Sequence, residues 1–127
     1  MRVFSTLSAR TAIALLCLFA LAACGQKDDA PRVAGGDAQV GRRLLEQYQC
    51  GSCHAIPDVA GPRGSAGPSL DMFGRRSYIA GRYPNAPDNL VPWLVNPPAM
   101  KPGTLMPNLG VSPDDARHMA AYLYTLR

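Results

Sequence analysis

The residues best suited to chemistry stand together in one pentapeptide, Cys50-Gly51-Ser52-Cys53-His54. Two thiols three positions apart on a helical turn can meet the two vinyl groups of one porphyrin. The adjacent imidazole then lies where it can ligate the iron, and C-x-x-C-H is the attachment pattern of c-type haem. Three rivals use the same letters. A thiol–disulfide redox pair needs a strand before the motif and a helix after it. Here a helical pattern precedes the motif and a Gly/Pro-rich loop follows it. A zinc site needs two further Cys or His at suitable spacing, and past the motif only His118 remains. A structural disulfide leaves His54 without a role. The reading is one haem c, bound covalently through Cys50 and Cys53, with His54 as proximal iron ligand.

Three helical segments are available to position that group. Asp37 is placed to cap a first helix running to the motif, in which Val40, Leu44 and Tyr48 recur at four-residue spacing with Leu45 beside them. Gly41 costs this helix propensity and implies close approach of another backbone. The last helix is announced by Ser112 as N-cap, Pro113 at its first position, and Asp114 and Asp115 in its first turn. Ala116, Met119, Ala120, Leu123 and Leu126 form its apolar stripe, and Tyr122 is expected over Gly41 where the terminal helices cross. A shorter middle helix near residues 90–95 is expected to start from Asn89, which puts Pro92 at the third position. Asn96-Pro97-Pro98 stops it. No segment alternates convincingly as a strand. The fold class is all-α: three to four short helices wrapped around a flat, covalently bound haem.

Before the first helix the chain reads as export machinery. Arg2 and Arg10 flank a polar start, and residues 11–23 then run without a charge. That stretch is too short for a hydrocarbon core needing about 20 residues, so it reads as a secretory signal rather than a membrane span. Leu21-Ala22-Ala23-Cys24 resembles a bacterial lipobox, in which the cysteine is lipidated and becomes the mature N-terminus. Residues 1–23 are therefore the expected signal peptide, 24–36 a lipidated N-terminus and flexible tether, and 37–127 the folded domain. The implied location is the periplasmic side of a bacterial membrane. With 127 residues there is room for one core; 12 Gly and 12 Pro forbid a long bundle. The formal charge of +4, with Lys27 and Lys101 the only lysines, provides no basic stripe for nucleic acid.

Iron held by one histidine needs a sixth partner if it is to cycle without binding gases. Met119 belongs to the apolar stripe, His118 to the face beside it, and Met72 sits too near the Gly67-Pro68 turn to reach the opposite side. Met100 and Met106 remain, both in the loop of residues 96–110, whose four prolines can hold an extended strap rigid. Reach favours Met106, but residue mechanics alone leave the two open.

The residues from 37 to 127 resemble a class I cytochrome c. The pattern is a Gly-containing first helix (Gly41), the motif Cys50 to His54 and a Gly67-Pro68 turn. Asn96-Pro97 follows, then the strap Pro102-Gly103-Thr104-Leu105-Met106, and Tyr122-Leu123 in the final helix. The resemblance implies Met106 as distal ligand, Pro68 as carbonyl acceptor for the His54 Nδ1–H, and Arg75 as partner of a haem propionate. It also puts Thr104 and Trp93 on the haem wall. The chain departs from the pattern in its Gly/Pro-rich loop at residues 56–66 and in lacking a ring of lysines. The stretch from Trp93 to Pro107 is similar to the haem-c domain fused to subunit II of some terminal oxidases.

An iron closed on both sides by protein has no site for substrate, so what remains is one-electron exchange, without catalysis and without a small-molecule substrate. The expected function is a membrane-tethered periplasmic electron carrier of a respiratory chain. Its donor would be a quinol-oxidising complex or dehydrogenase, and its acceptor a terminal oxidase or reductase. The alternative is a non-catalytic haem c subunit of such a complex. A third class is an enzyme or gas sensor whose Met106 dissociates.

Overall fold

Local capping chemistry sets the two long helices. The computed structural model describes residues 30–127; the expected signal, Cys17 and Cys24 lie outside them. The Asp37 carboxylate accepts from the amides of Gln39 at 2.8 Å and Val40 at 3.0 Å, opening α1 (Ala38–Gln47). After α1 come a 3-10 turn at Cys50–Ser52 and another at Phe73–Arg75. A ladder of β1 (Tyr78–Ile79) and β2 (Tyr83–Pro84) follows, then α2 (Pro87–Val95), α3 (Pro97–Met100) and α4 (Pro113–Leu123). The Ser112 hydroxyl accepts from the Asp115 amide at 3.1 Å, with Pro113 at the first position of α4 and both acids in its first turn. The fold is the expected small helical one.

Helices α1 and α4 cross over Gly41. A Cβ there would lie 1.9 Å from the His118 carbonyl oxygen, so the backbone of α4 occupies the space a side chain would need. Sequence reasoning expected Tyr122 in this position. The contact instead falls one turn earlier, at His118–Met119, and the Tyr122 hydroxyl donates to the Pro57 carbonyl at 2.6 Å. The crossing is tied on both sides. At one end the Asp37 amide donates to His118 Nδ1 at 2.9 Å; at the other the Tyr48 hydroxyl donates to Asp115 at 2.8 Å. That second bond also raises the Tyr48 pKa above its ordinary value. Leu45, Leu90, Ala116, Met119, Ala120 and Leu123 are almost fully buried at the centre of one continuous core, with Trp93 and Leu94 beside them. Val33 packs on the same core and accepts the Gly36 amide at 3.0 Å.

Three local expectations need correction. The middle helix starts at Pro87 after an extended Ala86, not from Asn89, because proline's fixed φ already suits a first helical position. Asn89 instead donates its side-chain amide to the Pro84 carbonyl at 3.0 Å. Pro92 therefore lies inside the helix, on its exposed side, where water can satisfy the carbonyl it leaves unpaired. Next, the strap is not extended throughout. Asn96 stops α2 but caps α3, its Oδ1 accepting from the Ala99 amide at 3.3 Å. Lastly, an antiparallel pair exists, Tyr78 opposite Pro84 and Ile79 opposite Tyr83, too short to have shown a period of two.

The Asp37 cap carries a pH dependence. The amides of Val40 and Gln39 hold its carboxyl below the ordinary value. A carboxyl depressed in the fold stabilises above its unfolded pKa and loses that contribution as pH falls through the folded value. Asp37→Ala should therefore lower the thermal midpoint at neutral pH, and the gap to wild type should close in acid. A gap of equal size in acid would show that the ionised cap is not its source.

Candidate functional site

Gln49, at φ 54°, turns the chain out of α1 into the motif. The amides of Cys53 and His54 both bond the Cys50 carbonyl, at 3.2 and 3.0 Å, so thiols and imidazole share one tight turn. The following loop is fastened to this turn. Gly64 and Gly67 donate to the carbonyls of Gly51 and Cys53, each at 2.8 Å, Leu70 donates to Ala55 at 2.8 Å, and Arg42 reaches the Asp58 carbonyl at 2.9 Å.

His54 is oriented by what surrounds it. Its Nδ1 lies 2.7 Å from the Pro68 carbonyl oxygen, which can only accept. Nδ1 must therefore carry a proton, and in the neutral ring it is Nε2 that has the lone pair for a metal. The imidazole ring lies against Gly67, where a Cβ would stand 2.3 Å from its Cε1. That close approach explains the glycine before Pro68. Gly67→Ala should swing the ring off the Pro68 carbonyl, read as a changed visible spectrum of the haem-loaded protein; an unchanged spectrum would contradict this.

Cys50 is half-buried and Cys53 exposed, and the two are not bonded to each other. Burial pushes the Cys50 thiol up to about 11, opposite to the lowered value that a thiol–disulfide nucleophile needs. Nor do ligands converge for zinc: among the described residues no group of three His, Cys, Asp or Glu comes together. His118 is engaged with the Asp37 amide on the α1–α4 crossing.

The remaining expected residues are distributed as follows. Trp93 is buried on α2. Thr104 and Met106 are half-buried on the strap, and the Met106 amide donates to the Thr104 hydroxyl at 3.3 Å. Met100 and Met106 both pack half-buried against the core, so burial does not separate them. Arg75 is exposed and its guanidinium has no partner among the described residues, which leaves it available to a carboxylate. Arg76 is already engaged: it donates to the carbonyls of Ser69 and Asp71 and stands 5.8 Å from the centre of the Phe73 ring.

Sequence reasoning missed a polar cluster on the far side of Phe73. Asn85 donates to the Phe73 and Arg76 carbonyls at 2.9 and 3.0 Å and accepts from the Tyr124 hydroxyl at 3.1 Å. Burial raises the Tyr124 pKa to about 12. Nothing in the local sequence marks Asn85 as more than a turn residue.

Two neighbouring thiols, an imidazole with a free Nε2 and soft thioethers on a proline-rich strap form a donor set that fits a covalently attached haem. Comparison with known proteins agrees. The family model described as Cytochrome c matches residues 38–127. The cytochrome c oxidase subunit 2 of Alkalihalophilus pseudofirmus is 37% identical over 91 residues, 71% of this chain and 26% of that protein. The protein of the same name from Bacillus subtilis is 32% identical over 89 residues, 68% of this chain and 25% of its own length. The chain thus spans about a quarter of the relatives it matches.

Proposed function

Because the chain belongs to the cytochrome c family, we propose that it is a membrane-tethered periplasmic one-electron carrier of a respiratory chain. It binds one haem c covalently through Cys50 and Cys53 and transfers electrons. The finer reading rests on one observation above the others, the 2.7 Å contact that leaves His54 Nε2 free to ligate.

When bound, the haem supplies reversible one-electron exchange between ferric and ferrous iron. In this reading His54 would ligate the iron through Nε2, and Pro68 keeps its ring in a single tautomer. Met106 would supply the second protein ligand, and a thioether there would favour a raised potential. Arg75 would pair with a haem propionate, while Trp93 and Thr104 would wall the site against water. With His54 and Met106 both holding the iron, the chain itself would perform no catalysis and take no small-molecule substrate.

No helix among the described residues is long and apolar enough to cross a membrane. Attachment in this reading is an acyl anchor on Cys24, after removal of residues 1–23 as a signal. Residues 24–36 tether the domain, and the anchor keeps a weakly docking carrier close to its membrane partners. Those partners are a quinol-oxidising complex or dehydrogenase as donor and a terminal oxidase or reductase as acceptor. Cys24→Ser is expected to release a haem-loaded protein from membranes. Sedimentation of that variant with membranes would mean that a partner, not lipid, holds the chain.

The names of the two relatives favour a second reading, a non-catalytic haem c subunit of an oxidase complex. Mild detergent extraction separates the two: a subunit co-purifies with other oxidase chains in fixed ratio, whereas a carrier comes away alone.

A further inference from the structure

Two hydrogen bonds run in opposite directions between the β1–β2 hairpin and the root of the strap. The Tyr83 hydroxyl donates to the Met100 carbonyl. The Lys101 ammonium donates to the Ala80 carbonyl at 3.0 Å. Each element thus gives one donor and one acceptor, and both bonds are partly sheltered from water.

The hairpin is a firm base for this tie. Its turn takes positive φ at both central residues, Ala80 at 52° and Gly81 at 67°, and closes with the Arg82 amide on the Ile79 carbonyl at 3.0 Å. Alanine is strained in that region, and the carbonyl that Lys101 binds belongs to this strained residue. Ile79 is buried in the core. The Asn85 amide bonds the Ser77 carbonyl at 2.9 Å across the hairpin base, and its side chain joins that base to Tyr124 beyond the end of α4.

From the strap's root, hydrogen bonds continue to Met106. The Thr104 amide donates to the Lys101 carbonyl at 3.1 Å, and the Met106 amide to the Thr104 hydroxyl at 3.3 Å. Only Pro102 and Gly103, the latter at φ 80°, stand between these partners. Every link from the hairpin turn to Met106 is a hydrogen bond or a short run of chain.

The geometry points to Tyr83 and Lys101 as positioning residues that clamp the strap on the hairpin and so hold the Met106 thioether as distal iron ligand. This rests on the His54/Met106 reading above. Neither residue touches the iron. Removing the tie gives the strap more conformations when it is off the metal and fewer restraints holding it on, so an added ligand competes more easily for the distal position.

The test uses the full-length, haem-loaded, oxidised protein titrated with imidazole, which binds only by displacing the distal ligand. Tyr83→Phe and Lys101→Leu should each tighten imidazole binding about threefold to tenfold. The double variant should fall short of the product, because both act on one strap. Lys101→Arg, which keeps a cationic donor, should recover most of the wild-type resistance. Tyr48→Phe removes the bond to Asp115 between α1 and α4. It should lower the thermal midpoint while leaving imidazole affinity unchanged. Should Lys101→Leu fail to fold, the near-isosteric Tyr83→Phe decides alone. Wild-type imidazole affinity in the hairpin variants, with a sulfur-to-iron band that Met106→Ala removes, would overturn the clamp and leave the ligation intact. A band that survives Met106→Ala overturns the ligation itself, and the clamp with it.

Discussion

Met106→Ala abolishes the weak red sulfur-to-iron charge-transfer band and lets the reduced protein bind carbon monoxide at neutral pH. That is the expected result if the thioether closes the iron. The variant should keep its covalent haem, because Cys50 and Cys53 are untouched and the His54 ring is held independently by Pro68 at 2.7 Å. Its reduction potential should drop by something on the order of 0.1 V, within the roughly 0.8 V that axial ligands span. The effect is large because one atom sets both the potential and the closure. Met100→Ala is the necessary companion, since Met100 is equally half-buried and packs on the same core. In the proposed reading its thioether has no part in closure, while its backbone carbonyl, which accepts the Tyr83 hydroxyl, is kept. Met100→Ala should thus retain the band and exclude carbon monoxide. If instead the band vanishes in Met100→Ala and persists in Met106→Ala, the distal ligand lies at the end of α3, before the Pro102-Gly103 bend, rather than after it.

What could be read from the sequence divides along a physical line. Caps and attachment chemistry are local: Asp37 and Ser112 bond amides two or three residues on, and the two thiols lie on one turn. Such features depend on spacing alone, and the structure has them where spacing put them. The start of α2 is harder to read because two choices are both locally acceptable, Asn89 as a cap or Pro87 as a first residue, and the structure takes the second, with Ala86 extended before it. Nonlocal polar bonds left no trace. Tyr83 to Met100 and Lys101 to Ala80 span 17 and 21 residues, and the Asp37 amide meets His118 across 81. No periodicity encodes such pairs. His118 is instructive here: on a helical wheel it is a half-exposed histidine beside the apolar stripe, yet it receives the amide that begins α1.

The distal methionine shows the same division from the opposite side. Composition predicts a stiff strap, and stiffness alone leaves two sulfurs as candidates. What separates them in the proposed reading is the route of hydrogen bonds, which runs through Lys101 and Thr104 to Met106 and leaves Met100 behind at the root. In that reading, position along the strap is set by bonds made elsewhere, on a hairpin the sequence did not announce.

Gly41→Ala should be among the most damaging single-methyl additions to the folded domain. The new Cβ would sit 1.9 Å from the His118 carbonyl oxygen, 2.5 Å from its carbon and 2.9 Å from the Met119 nitrogen. All three are backbone atoms of α4, so no side chain can rotate away and the helices must part. On an exposed helix the same change would gain about 1 kcal/mol of helix propensity. Here that gain is outweighed, because parting the helices opens the packing of Leu45 against the α4 face formed by Ala116, Met119 and Ala120, all nearly fully buried. It also strains the flanking ties, Asp37 to His118 at 2.9 Å and Tyr48 to Asp115 at 2.8 Å. Overpacking of this kind costs about 1–3 kcal/mol or more, from a total of roughly 5–15 kcal/mol. For a domain of this size each kcal/mol lowers the thermal midpoint by about 4–8 °C, so a fall of about 4–24 °C is expected in the haem-loaded protein. Arg43→Ala, on the exposed side of the same helix, should change the midpoint little. A Gly41→Ala protein melting with wild type would mean that the helices cross elsewhere, and the bonds from Asp37 and Tyr48 to α4 would have to be redrawn with them.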